Sequence, residues 1–290
     1  MENKGRRFCT ACTSPVGSFR AGPGGRLGAK CPKCKALERH RFLSLLLGML
    51  SPQLQDVGTL VEIAPSPQST RQLDRVPARR RVGLDIGYDN RAVDALASLT
   101  RLPLRSGSVD LLVCYHVLEH VPDDLTAMAE IARVLSPRGT ALIQVPIKVG
   151  VATDEDPSAG PEERASRFGQ EDHVRFYGDD FDTRLADAGL VTRRVTPPAL
   201  LGSGAVERFG LMAHEIVWIA QRGDAAAPPV DRDIRETGLT LALDALVEEN
   251  RRLGTELRRA RRRAAAAADE AARSPRRRSD RWPLVGWRHG

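Results

Sequence analysis

The sequence lacks any run of about 18 apolar residues, the length a helix needs to cross a bilayer, so no membrane-spanning helix is expected. Its densest apolar stretch, Leu43 to Leu50, is too short and follows charged Glu38, Arg39 and Arg41. No secretion signal is recognisable either, which predicts a cytoplasmic protein and disfavours disulfides among the five cysteines. Also missing is a Gly-x-Gly-x-x-Gly turn after a strand, and its absence argues against an NAD-type dinucleotide site.

What is there begins with charge. The net +7 of the 290 residues is uneven: residues 1–35 carry +7 and residues 231–290 carry +5, leaving −5 for the middle. Basic ends on an acidic body suit an anionic partner, RNA or a membrane surface, or are simply solvated. The length allows one main core with small appendages.

Cys9 and Cys12 are two residues apart, as are Cys31 and Cys34, with 18 residues between the pairs. Such spacing lets two tight knuckles present four thiolates to one tetrahedral ion, so residues 1–35 are expected to be a ribbon holding structural zinc. With all four positions filled by sulfur, no place is left for a reacting water. So short and polar a segment should need its metal to fold. The fifth cysteine, Cys114, lies in an apolar strand and reads as a core thiol.

Residues 36–57 read as a connecting helix. From residue 58 to 222, apolar runs alternate with helical patterns. Leu60 to Ala64, Arg81 to Ile86, Val109 to Tyr115 and Thr140 to Pro146 are expected strands of a parallel sheet. Val191 to Val195 and His214 to Ala220 are expected to close it as an antiparallel pair. Residues 148–170 are polar and without period, which predicts a long loop.

In such sheets ligands sit outside the carboxyl ends of the strands. Glu62 and Asp85 lie near two of those ends, 23 positions apart, where Asp85 could accept hydrogen bonds from ribose hydroxyls or either could be a solvated strand end. Three further stretches follow in order: Leu102-Pro103-Leu104-Arg105-Ser106-Gly107-Ser108-Val109-Asp110, His116-Val117-Leu118-Glu119-His120-Val121 and Leu135-Ser136-Pro137-Arg138-Gly139-Thr140. The set resembles the successive motifs of class I S-adenosylmethionine-dependent methyltransferases of the type 11-like group.

Cys31-Pro32-Lys33-Cys34 with Leu37-Glu38-Arg39-His40-Arg41, and the stretch Phe168 to Gly178, are similar to a bacterial subgroup that joins a zinc ribbon to that domain. The resemblance implies an α/β fold, a Rossmann-like, doubly wound, mostly parallel seven-stranded sheet. It also implies that Glu62, Ala64, Pro65 and Ser66 face the methionine part of S-adenosylmethionine, that Asp85 binds its ribose, and that Ser98, Leu99 and Tyr115 lie near the rest of the cofactor. Ala64-Pro65-Ser66 replaces the usual Gly-rich turn, and Ser98 stands where an acid often meets the adenine amine.

Methyl transfer needs a base only when the acceptor must lose a proton. His116 and His173 are the candidate catalytic residues. His116 and His120, four apart, are expected on one helical face, with His120 structural. Arg175 and Tyr177 could hold an anionic or hydroxylated acceptor, or anchor their loop. The expected reaction is methylation of a small-molecule or glycan-type acceptor; RNA methylation and a non-catalytic scaffold are the alternatives.

Residues 223–238 read as a linker. Within 239–273, Leu239, Leu243, Leu246, Asn250, Leu253, Leu257, Ala260, Ala264, Ala267 and Ala271 alternate steps of four and three, a heptad seam. It predicts a coiled coil and a homodimer, or a helix packed on its own domain. Residues 274–290, with three successive arginines, Trp282 and Trp287, suit a membrane surface or nucleic acid, or are a disordered solvated end.

Overall fold

The computed structural model describes residues 7–87, 92–223, 259 and 261–264. The chain divides into two compact units, Met1–Leu243 and Asp244–Gly290. In the second, Arg259 and residues 261–264 are helical and exposed. The heptad seam as a whole and the tryptophan-bearing end lie outside the described residues.

The first unit opens with the hairpin β1 (Arg7–Cys9) and β2 (Ser14–Val16), paired antiparallel. Arg20 and Lys30 form a second antiparallel bridge. Helix α1 (Glu38–Met49) follows, its start fixed where the Leu37 N–H donates to His40 Nδ1 at 3.0 Å. The elements β3 (Val57–Ile63), α2 (Pro67–Leu73), β4 (Ala78–Asp85), β5 (Ala95–Leu96), β6 (Val109–Tyr115), α3 (Asp124–Val134) and β7 (Leu135–Gln144) come next. After β7 the order is β8 (Asp154–Glu155), α4 (Pro161–Phe168), β9 (Arg175–Phe176), α5 (Phe181–Asp187), β10 (Leu190–Val195), α6 (Pro197–Leu201), α7 (Ser203–Phe209) and β11 (Val217–Arg222).

Seven strands make one sheet in the order β10-β11-β7-β6-β3-β4-β5. Pairings from β7 to β5 are parallel, while β11 is antiparallel to both its neighbours. The chain therefore leaves the central strand β3 in one direction, returns, and continues from β6 in the other. That reversal opens a crevice at the carboxyl ends of β3 and β6, the usual place for a ligand. The Rossmann-like, mostly parallel seven-stranded fold stands as expected, and the closing antiparallel pair is β10 with β11.

Local chemistry explains the elements. β6 is Val-Asp-Leu-Leu-Val-Cys-Tyr, apolar at successive positions because both faces of this central strand are buried. Ser66 caps α2 by accepting the Ser69 N–H at 3.1 Å, and Pro67 supplies the fixed φ of a first helical turn. Asp123 Oδ1 accepts the Thr126 N–H at 3.0 Å and starts α3, whose Ala127, Met128, Ile131 and Val134 form one buried stripe. These pack with Val61, Leu112, Ile143 and Trp218 in the main core, where Cys114 is fully buried as expected.

The segment 148–170, expected as a long loop, contains β8 and α4. Arg167 of α4 pairs with Asp154, Asp156 and Glu163, and Phe168 is buried at the helix end. Among the described residues no helix is long and apolar enough to cross a membrane.

Candidate functional site

The four expected ligand cysteines converge. Cys9 and Cys34 Sγ lie 3.7 Å apart, Cys12 and Cys31 Sγ 3.9 Å apart, and all four sulfurs lie within 4.8 Å of one another. A tetrahedral zinc with sulfurs at about 2.3 Å requires sulfur–sulfur distances of about 3.8 Å. Thr13 and Lys35, each following the second cysteine of its pair, both have positive φ (48° and 66°), so the two knuckles bend alike. The Cys34 thiol is drawn down to about 5, chiefly by the Cys9 S–H beside it. The quartet is shaped for a cation.

The ribbon is fastened to the sheet domain by Arg41, which is fully buried. Its guanidinium donates to the carbonyl oxygens of Ala29 (2.9 Å), Ala36 (3.0 Å), Phe209 (2.9 Å) and Gly210. It also lies over the Phe19 ring, whose edge occupies the space a Cβ on Gly210 would take.

At the crevice, the strand register sets Glu62 between Gly83 of β4 and Val113 of β6. Glu62 is buried; its Oε2 accepts from Thr70 Oγ1 (2.9 Å) and Arg81 Nη2 (2.6 Å), while Oε1 is buried without a protein partner. Ala64 has φ 48°, and His116, at the end of the neighbouring strand, has φ 56°. Two non-glycine residues in the left-handed region cost about 1–2 kcal/mol each, strain of the kind that gathers at functional sites. The backbone bend of a glycine-rich turn is thus kept with alanine. Gly83 lets the chain beyond β4 approach: a Cβ there would sit 2.0 Å from the Ala92 carbonyl oxygen.

Asp85 closes β4, its Oδ1 accepting the Ile86 N–H at 2.7 Å, and Ile86 beside it is 82% exposed. Ser66 caps α2, with Pro65 just before it. Ser98 is exposed and shares a 2.7 Å hydrogen bond with Thr100 Oγ1. Leu99 is buried in the main core, which leaves its backbone rather than its side chain for a ligand. The Tyr115 hydroxyl is buried without a partner, and burial pushes its pKa up.

Beyond the ends of β6 and β7 lies a cleft of about 180 Å³ whose lining includes Arg39, His116, Gln144, Phe176, His214 and Glu215. Arg26 of the ribbon and Glu38 of α1 also line it. Gln144 Nε2 donates to Glu215 Oε1 at 2.6 Å, and Glu215 Oε2 is buried and unpaired. Burial pushes the Glu215 carboxyl up to about 7, in spite of the Gln144 hydrogen bond that lowers it. Burial also lowers Arg39 from the ordinary guanidinium value. A carboxyl near 7 beside cations can exchange a proton at neutral pH.

Sequence reasoning missed Glu215, Arg39 and Arg26. Arg39 was visible only as part of a charged helix start. Glu215 sits alone before an apolar strand, with no pattern to mark it.

Of the two candidate catalytic histidines, only His116 lines the cleft. His173 is buried, with Nδ1 2.9 Å from the Phe168 carbonyl oxygen. The shared helical face expected for His116 and His120 is absent: only Leu118–His120 form a short 3-10 turn, and His116 precedes it in the left-handed conformation. His116 Nδ1 instead meets Glu119 Oε1 at 3.2 Å. Arg175 and Tyr177 are buried and anchor their loop. Arg175 donates to the carbonyls of Leu118, Val121 and Pro122, and the Tyr177 hydroxyl to Asp124 Oδ2 at 2.8 Å.

The chain is similar to known methyltransferases over part of its length. Residues 48–143 match the family model described as a methyltransferase domain. A Mycolicibacterium smegmatis protein named a probable S-adenosylmethionine-dependent methyltransferase is 33% identical over 95 residues, 29% of this chain and 36% of that protein. A Mycobacterium tuberculosis protein of the same description is 32% identical over 96 residues, 33% of this chain and 31% of that one. The chain thus spans about a third of the length of these curated relatives. The solved S-adenosylmethionine-dependent methyltransferase of Mesorhizobium loti is 15% identical, covers 63% of this chain and 97% of its own, and superposes with a TM-score of 0.43.

Proposed function

We propose that the class I S-adenosylmethionine-dependent methyltransferase domain of this chain is an active enzyme, and that it methylates a hydroxyl of a small-molecule or glycan-type acceptor. The observation that carries the reading is the cleft that brings Glu215 together with His116, which stands in a left-handed conformation at the carboxyl end of β6. S-adenosylmethionine, when bound, supplies an electrophilic methyl group. Asp85 would accept the ribose hydroxyls, with Ile86 offering an apolar surface beside it and Ser98 and the Leu99 backbone completing that end. Glu62 Oε1 and the Ala64-Pro65-Ser66 bend would hold the methionine portion, near Tyr115. The unpartnered buried Oε1 and the retained left-handed bend are what fit these residues to that role.

In the cleft, Arg26 and Arg39 would orient an oxygen-rich acceptor. Glu215 Oε2, or His116, would take the hydroxyl proton as the oxygen attacks in line. The cysteine quartet would hold structural zinc, keeping Arg26 in place; thiols stay reduced in the cytoplasm, where we place the protein. On the sequence spacing alone, the 239–273 helix would form a homodimer.

The test is calorimetric titration of the full chain with S-adenosylmethionine. Measurable binding that falls at least tenfold in Asp85→Ala supports the reading; no binding at millimolar cofactor overturns it. Transfer of labelled methyl to hydroxylated glycans and metabolites then identifies the acceptor. RNA methylation is the second reading, motivated by the basic ribbon and cleft arginines. It requires labelled RNA as product and an RNA affinity that falls steeply with salt.

A further inference from the structure

Three side chains outside the cleft assigned to methyl transfer meet where the turn after β6 touches the loop after α4. Glu119, His120 and His173 each bring one ligand atom, and the three atoms lie within 4.8 Å of one another. Glu119 and His173 are buried, and His120 is half-buried. The two segments are joined beside them, where the Val174 N–H donates to the Glu119 carbonyl oxygen at 2.9 Å.

Hydrogen bonding shows which atoms are left over. The carbonyl of Phe168 can only accept, so its 2.9 Å contact puts the ring hydrogen of His173 on Nδ1 and the lone pair on Nε2. That Nε2 is buried and unpartnered. His120 Nδ1 stands 3.2 Å from the Asp172 carboxylate, which draws the hydrogen of that ring to Nδ1 in the same way. Glu119 uses Oε1 on His116 Nδ1 at 3.2 Å, and its Oε2 is buried with no partner.

The cluster therefore presents a carboxylate oxygen and imidazole lone pairs, all acceptors and none able to satisfy another. Each buried acceptor left unpaired costs about 1–3 kcal/mol. A cation answers all of them at once. Imidazoles whose far nitrogen donates to a carbonyl or a carboxylate are the usual support of a bound metal, because that bond fixes both tautomer and ring orientation.

We infer that Glu119, His120 and His173 bind one divalent transition-metal ion, of the zinc, cobalt or manganese kind. Two nitrogens and one carboxylate oxygen favour such ions over calcium or magnesium, which take oxygen alone. Three protein ligands leave coordination open on the half-exposed His120 side for water or an acceptor oxygen. The ion also ties the loop after α4 to the turn that carries His116, with Glu119 bridging the metal and the His116 ring. This site is distinct from the sulfur site of the ribbon.

The donor sets differ in spectrum, which separates the two sites. The full chain is stripped with chelator, reloaded with cobalt(II), desalted and counted by elemental analysis. Thiolate ligands give an intense near-ultraviolet charge-transfer band; a nitrogen and oxygen site gives none. Two equivalents in the wild type, falling to one in His173→Gln with the charge-transfer band intact, is the expected result. A single equivalent in the wild type, accounted for by the thiolate band, overturns the inference whether or not the variant folds. Two equivalents retained in both His173→Gln and Glu119→Gln overturn it equally.

Discussion

Arg41 Nε donates to the Phe209 carbonyl oxygen at 2.9 Å across 168 residues of sequence, and the same guanidinium reaches Ala29 and Ala36 in the ribbon. One side chain of α1 therefore satisfies carbonyls from both the cysteine segment and the end of α7. Arg41→Met keeps an apolar stem but removes the guanidinium over Phe19 and leaves those buried acceptors without donors. A loss of about 3 kcal/mol is expected in urea denaturation. Arg41→Lys should fall between, since one ammonium cannot serve the same spread of carbonyls. A variant as stable as the wild type would show that the ribbon is held on by other contacts.

Removing the zinc proposed for the quartet should act on the acceptor side before the cofactor side. Arg26 comes from the ribbon, whereas Asp85 and Glu62 belong to the sheet. Chelator treatment should expose residues 7–36 to proteolysis and abolish methyl transfer while S-adenosylmethionine affinity changes less than threefold. Continued protease resistance of that segment after complete metal loss would mean that its fold does not depend on the ion.

Gly83 should be intolerant of even one methyl group. The Ala92 carbonyl would meet a Cβ at 2.0 Å, and a backbone atom cannot swing away as a side chain can. Gly83→Ala is expected to cost about 2 kcal/mol and to weaken S-adenosylmethionine, because the displaced strand end carries Asp85 two residues later. An unchanged urea midpoint and cofactor affinity would mean that the chain beyond β4 does not press on Gly83.

The sheet was legible wherever the sequence carried a run of buried residues. Val109–Tyr115 shows itself because it is apolar on both faces, and the last strand by its apolar run Val217-Trp218-Ile219-Ala220. β5 was not, since Ala95–Leu96 is too short to carry a pattern. α4 was hidden for another reason: its polar surface is held by Arg167 against three carboxylates, with Phe168 as its one buried residue. The cysteines announced their meeting by spacing. Glu119 and His173 lie 54 positions apart, and Glu215 reaches Gln144 over 71 residues. No local rule connects such pairs. His116 was recognisable as a candidate, but its left-handed backbone and its bond to Glu119 arise from the turn that β6 must make.

Glu215 gives the clearest pH signature. Its carboxyl, ordinarily near 4.5, is raised to about 7 by burial. Between those values the folded protein holds a proton that the unfolded chain has released. Glu215's contribution is therefore fully present below about 4.5 and is lost as pH rises through 7. The wild type should lose about 2.5 kcal/mol relative to Glu215→Gln between pH 5 and pH 8, measured by urea denaturation at each pH. Parallel curves would mean that Glu215 is not held protonated. Kinetics asks a separate question of the same residue. If Glu215 takes the acceptor proton, wild-type turnover should rise with an apparent pKa near 7, and Glu215→Gln should lose both the rise and at least a hundredfold in rate. If His116 takes it instead, Glu215→Gln should keep most of its turnover. His116→Asn, which tolerates the same left-handed φ, should then carry the loss.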